Sequence, residues 1–180
     1  AVGALAGDAI TTGSNNVAMG EGALSTEVAG GRSVAIGVNS LGQQNVGGNV
    51  YNTAVGHAAG NNVTTGTQNT FIGGLAGDAT DDGAYNTAVG HLALSANCGD
   101  SNTAVGYDAL IAATGASNTA MGSDAGGSVT SGSNNMFLGF QAGLSGSPGG
   151  AITTGSNEIV LGDENITESH IQVDWTVASD

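Results

Sequence analysis

The chain has 180 residues, with 33 glycines, one proline, one cysteine and a single basic residue, Arg32, against fifteen carboxylates. A net charge of −14 excludes a basic surface for nucleic acid or an anionic membrane. The lone Cys98 excludes an intrachain disulfide, and no signal-peptide pattern or membrane-spanning run is visible.

Along the chain a five-residue motif, N-[TV]-A-[VIM]-G with variants, recurs nine times. Its copies open at Asn16, Ser33, Asn52, Asn69, Asn86, Asn102, Asn118, Asn135 and Asn157, and a partial copy, Ala1-Val2-Gly3, stands at the start. The motif glycines, from Gly3 to Gly162, are spaced 17, 17, 19, 17, 17, 16, 16, 17 and 23 residues apart. A fixed period of this size marks a solenoid, in which no copy can bury enough surface alone and stability comes from stacking. Residues 1–162 form nine to ten such coils on this reading, and the 23-residue gap shows that length varies in the turns.

Each motif predicts a short strand, because Val or Thr and a larger apolar residue alternate around a central residue. The larger residue precedes every motif glycine (Met19, Ile36, Val55 and so on to Leu161), so this side of the strand is assigned to a core. The central residue is Ala in most copies and Phe71, Phe137 or Val160 in others, so the opposite side is also expected to be covered, by another chain in a narrow solenoid. Because rings occur at that position, Ala104→Phe is expected to be tolerated better than a ring at Ala109.

Three residues after the glycine comes a small residue, Ala23, Ser40, Ala59, Ala76, Ala93, Ala109, Ala125 or Ala142, followed by Gly or Leu. A side chain no larger than alanine at one place in every copy predicts close approach of neighbouring backbone. This half of the coil is expected to hold a second short strand, and T-T-G or T-S-G segments close the coil as turns. At about 4.8 Å per coil, nine coils make a rod of roughly 40 Å, or one about three times longer were three chains interwound.

Asn16, Asn52, Asn69, Asn86, Asn102, Asn118, Asn135 and Asn157 are expected to form a structural ladder, their amides bonding along the axis and capping turn backbone. No nucleophile elbow, phosphate loop, dinucleotide fingerprint or Cys/His pair is present, and enzyme activity is not expected. The densest acidic turn, Asp78, Asp81 and Asp82, is the candidate calcium site, but it lacks the nonapeptide calcium-solenoid signature, and no cofactor is expected. His57 and His91 stand two coils apart, roughly 10 Å, too far to share one ion within a chain.

With these residues in view, Ser33-Val34-Ala35-Ile36-Gly37 resembles the head repeats of trimeric autotransporter adhesins, which are left-handed β-rolls packed as trimers. The copies of type Asn86-Thr87-Ala88-Val89-Gly90-His91, with T-[TS]-G turns, are more similar to bacteriophage tail-fibre proteins that carry a C-terminal endosialidase-type intramolecular chaperone. Residues 163–180 break the repeat, and Ile171 to Val177 alternate as a terminating strand. That stretch resembles the junction to the chaperone domain, which cuts itself off after trimerisation, so Asp180 is the candidate cleavage end.

The resemblance implies a homotrimeric virion tail fibre that contacts other tail proteins and presents turns such as 80–85 and 145–150 to a host-surface glycan or protein. An adhesin head on a bacterial surface is the alternative, and a monomeric ice-binding solenoid with flat Thr ladders is a third reading. Apolar Ala and Phe on the second strand face argue against that third reading.

Overall fold

The computed structural model describes residues 1–147 and 149–168. The expected terminating strand 171–177, His170 and Asp180 lie outside these residues. The described chain is all-β and contains no helix, and its nine stacked strands form a parallel β-solenoid with coils of about 17 residues.

The strands are β1 (Val17–Met19), β3 (Val34–Ile36), β5 (Thr53–Val55), β6 (Thr70–Ile72), β7 (Thr87–Val89), β8 (Thr103–Val105), β9 (Thr119–Met121), β10 (Met136–Leu138) and β11 (Ile159–Leu161). They pair in parallel in that order, and motif residue faces motif residue throughout: Thr53 opposite Thr70, Ala54 opposite Phe71, Val55 opposite Ile72. Successive coils of one chain therefore pair directly with each other. A second, two-stranded sheet joins β2 (Gly30–Gly31) to β4 (Gly48–Asn49).

The two strand faces are the reverse of the sequence expectation. Ala18, Ala35, Ala54, Phe71, Ala88, Ala104, Ala120, Phe137 and Val160 point into the coil's own interior and are buried. The flanking Val or Thr and the residue before the glycine face outward. The reason is the narrowness of the coil: its interior accepts one small central side chain per strand, so the bulkier β-branched residues stand outside. The face expected to meet a partner chain is the chain's own core.

Phe71 and Phe137 fit only because other residues make room. Four residues after each motif glycine the interior holds Leu24, Leu41, Leu94 or Leu110 in some coils and glycine in others. The Phe71 ring lies between Gly60 and Gly77, and the Phe137 ring between Gly126 and Gly143; a Cβ on any of these glycines would collide with the ring. Ala104 has Leu94 and Leu110 in the corresponding places. A ring at Ala104 alone would therefore crowd both leucines, a cost that the rings at Phe71 and Phe137 avoid through their flanking glycines.

The expected second strand of each coil does not form. The residues two and four after the motif glycine, such as Leu92 and Leu94 or Asp108 and Leu110, adopt left-handed backbone with φ of 52–59°, which a strand cannot contain. Their N–H groups still bond along the axis: Leu94 donates to the Ala109 carbonyl of the next coil, and Leu92 to Gly74 of the preceding one. The backbone polar groups are thus satisfied by coil-to-coil bonds even where no strand exists. The motif glycines themselves sit at φ of 113–140° from Gly3 to Gly139, and a Cβ on Gly56 would strike the Gly73 carbonyl oxygen of the next coil. Backbone approaches closely at these glycines and at turn glycines such as Gly115 and Gly132; the Ala23, Ala59, Ala76, Ala93, Ala109, Ala125 and Ala142 column is fully buried core.

Candidate interaction face

The outward side of the nine-stranded sheet is built from four columns, each contributing one residue per coil. The first lies just before the buried Asn and comprises Asn15, Arg32, Tyr51, Gln68, Tyr85, Ser101, Ser117, Asn134 and Asn157, all exposed and all with left-handed φ. The second is Val17, Val34, Thr53, Thr70, Thr87, Thr103, Thr119, Met136 and Ile159. In the third every residue is apolar, from Met19 to Leu161, and Met19, Ile72, Met121, Leu138 and Leu161 are 41–48% exposed. The fourth follows the motif glycine and includes His57, His91, Tyr107 and Phe140.

Exposed aromatic rings mark both margins of this face. Arg32 lies over the Tyr51 ring, 5.6 Å from its centroid, and its Nη1 donates to the Tyr51 hydroxyl at 2.7 Å. On the other margin His91 stacks on Tyr107, with centroids 5.8 Å apart and planes within 8°. A hydrogen bond to Asp108 and that residue's negative charge push the Tyr107 phenol up. Between the first and second columns, over the last three coils, runs a groove of about 260 Å³ lined by Ser117, Asn134, Asn157, Met136, Ile159 and Glu158 among others. Along its first-column wall Asn134 Nδ2 donates to Asn157 Oδ1 at 2.8 Å.

Behind this face stands the asparagine ladder, and its bonds are side chain to main chain. Asn52 Oδ1 accepts the Asn69 N–H at 2.8 Å, and Asn69, Asn86, Asn102 and Asn118 do the same for the next member. Each amide also donates to a turn glycine in the following coil: Asn16 to Gly30, Asn52 to Gly66, Asn69 to Gly83, Asn102 to Gly115, Asn118 to Gly132 and Asn135 to Gly155. Asn86 departs from this, its Nδ2 buried without a partner, while the Gly99 carbonyl is taken by Asn102. Asn157 is not a member. Register places Glu158 in the ladder position, where its N–H meets Asn135 Oδ1 at 2.9 Å, and Asn157 stands on the exposed first column.

The ladder is interrupted at Ser33, where a buried polar cluster replaces it. Glu27 occupies the inward site seven residues after its motif glycine that Val63 and Val129 fill in other coils, and Gln44 occupies the same site in the 19-residue coil. Glu27 Oε1 accepts the N–H groups of Ala29 and Gly30, and Oε2 accepts Gln44 Nε2 and the Val46 N–H. Gln44 Oε1 in turn accepts Asn52 Nδ2 at 2.9 Å. All four contacts to the carboxyl group are donors, so both of its buried oxygens are hydrogen-bonded.

The acidic turn is not assembled into a site. Asp78 accepts the Ser95 hydroxyl at 2.5 Å, Asp81 accepts that of Thr64, and Asp82 is exposed. Among the described residues no three His, Cys, Asp or Glu side chains come together to hold a metal ion. Cys98 is buried against Thr80, with its sulfur 3.4 Å from the hydroxyl, and burial pushes the thiol up. On the exposed turn after β11, hydrogen bonds from Asn165 hold the Asp163 carboxyl below the usual range. No family model matches the chain, and no match is found among curated proteins or among solved structures.

Proposed function

We propose that this chain is a structural segment of a homotrimeric fibre of the phage tail-fibre kind, which spaces and presents surfaces for attachment to a host cell. The observation that carries the reading is the unbroken apolar third column along the nine-stranded sheet, exposed at Met19, Ile72, Met121, Leu138 and Leu161 and partly exposed at the other four strands. At about 4.8 Å per coil over nine coils and a width of about 7 Å, the third column alone covers roughly 300 Å², the size of the largest apolar patch on an ordinary monomer. Packing three such strips about a common axis would remove roughly 900 Å² from water in total, about 300 Å² for each pair of chains, so the trimer would need further contacts beside the strip to reach a specific interface. The role is structural, not catalytic, and the tail-fibre resemblance of the repeats supplies the biological setting.

Light scattering on the intact chain tests it. Three chain masses support the fibre. A single chain mass, unchanged with concentration, refutes it.

One observation favours a second reading, a monomeric ice-binding solenoid. The central Ala and Phe residues line the core and cover no outer face, and Thr53, Thr70, Thr87, Thr103 and Thr119 form an outward column in register. A single chain mass together with inhibition of ice recrystallisation would establish this reading, and a trimer without such inhibition would dismiss it.

A further inference from the structure

We propose that the first column, from Tyr51 to Asn157, is a binding line for an extended neutral glycan laid parallel to the solenoid axis. The inference rests on the attachment-fibre reading and names the chemical class of receptor that the face would take. Four features point the same way.

The column offers one side chain per coil, so its repeat is about 4.8 Å, close to the advance of one sugar unit in an extended chain. Tyr51 and Tyr85 are 46% and 58% exposed and stand two coils apart with Gln68 between them. Exposed tyrosines supply flat apolar area with a polar tip, the surface that stacks against the C–H face of a pyranose. Arg32 fixes the Tyr51 ring by stacking on it and bonding its hydroxyl, which lowers the cost of ordering that ring on binding.

Further along the same line, Ser117, Asn134 and Asn157 border the groove of about 260 Å³. Hydroxyl and amide groups donate and accept with equal ease, as sugar hydroxyls require. Met136 and Ile159 give the opposite wall an apolar surface, and Glu158 adds an acceptor. Charge decides between glycan classes: with −14 on the chain and its one cation already engaged by Tyr51, a polyanionic saccharide would be repelled.

The test uses three linear hexasaccharides as probes: β-1,4-linked glucose, β-1,4-linked N-acetylglucosamine and, as the anionic counterpart, α-1,4-linked galacturonate. Binding to the intact chain is followed by calorimetry and saturation-transfer NMR. Serine already stands in this column at positions 101 and 117, so Tyr51→Ser/Tyr85→Ser and Asn134→Ser are variants that the backbone accepts.

At least one neutral probe should bind, the galacturonate should not, and the double tyrosine variant should bind about tenfold more weakly. Asn134→Ser should weaken binding as well, with the thermal transition unchanged in both variants. The proposal is overturned if neither neutral probe binds at millimolar concentration, if the galacturonate binds best, or if the variants bind like the parent. Light scattering on the same samples separates the two levels: a trimer that binds no glycan sinks only the binding line, and a monomer that binds sinks only the assembly.

Discussion

Replacing Ala104 by Phe tests the packing rule of the interior most directly. Ala104 is fully buried on β8, and Leu94 and Leu110 occupy the positions that Gly60 and Gly77 hold around Phe71. A ring inserted alone meets two leucine side chains in a close-packed interior, and overpacking of this size costs roughly 3 kcal/mol. For a chain of this length that is a fall of about 6–12 °C in Tm.

The triple variant Ala104→Phe/Leu94→Gly/Leu110→Gly reproduces the Ala-Gly-Phe-Gly content of the β5–β6 and β9–β10 pairs. It also removes left-handed strain at Leu94 and Leu110, whose φ angles are 53° and 52°, where a non-glycine residue costs on the order of 1 kcal/mol. Its Tm should return to within a few degrees of the parent. The assay is thermal melting by circular dichroism with urea titration alongside. A single Ala104→Phe variant as stable as the triple one would refute the argument that ring and glycine are coupled.

Asn69→Ala removes a donor to Gly83 and the acceptor of the Asn86 N–H, leaving both groups buried and unpaired, at roughly 2–4 kcal/mol. Asn86→Ala should cost about 1 kcal/mol less, because its Nδ2 already lacks a partner; equal urea midpoints would contradict this. Glu27→Gln turns an acceptor toward four N–H donors into a partial donor, and a loss of about 2–3 kcal/mol is expected in the same titration. Because burial raises the Cys98 thiol, the thiol form is favoured in the folded state. Its contribution to stability is intact below the ordinary thiol range and is lost as pH rises through and beyond it. Native Cys98 should react with a disulfide reagent only on unfolding, and rapid labelling at neutral pH would refute its placement.

The period, the positions of the motif strands and their stacking were legible in the sequence because each depends on a local rule: glycine at φ near 137° beside the next coil, and β-branched residues around a central one. Which strand face lies inside was not legible, because both faces are apolar and only coil width distinguishes them. Asn157 misled because Asn-Asn pairs occur at 15–16 and 134–135, where the second member enters the ladder; at 157–158 that second member is Glu158. The Phe–Gly coupling was present in the sequence as glycine at positions 60, 77, 126 and 143 against leucine at 94 and 110. It becomes readable once the two positions are known to share one interior. The outward line from Tyr51 to Asn157 left no compositional signal, since its members share a backbone conformation and not a side-chain type.

The coil-to-coil hydrogen bonds run along the long axis of the rod, and this governs how it would bear load. Tension applied from end to end stretches these bonds lengthwise, so a coil can be drawn off by breaking its three-residue strand and its few turn bonds while the next coil stays in place. A sheet whose strands lay along the pull would instead have to break all its bonds together in shear. Each coil touches only its neighbours, so an isolated rod would peel in small steps from either tip. Lateral packing on neighbouring rods would be what turns such a stack into a tether.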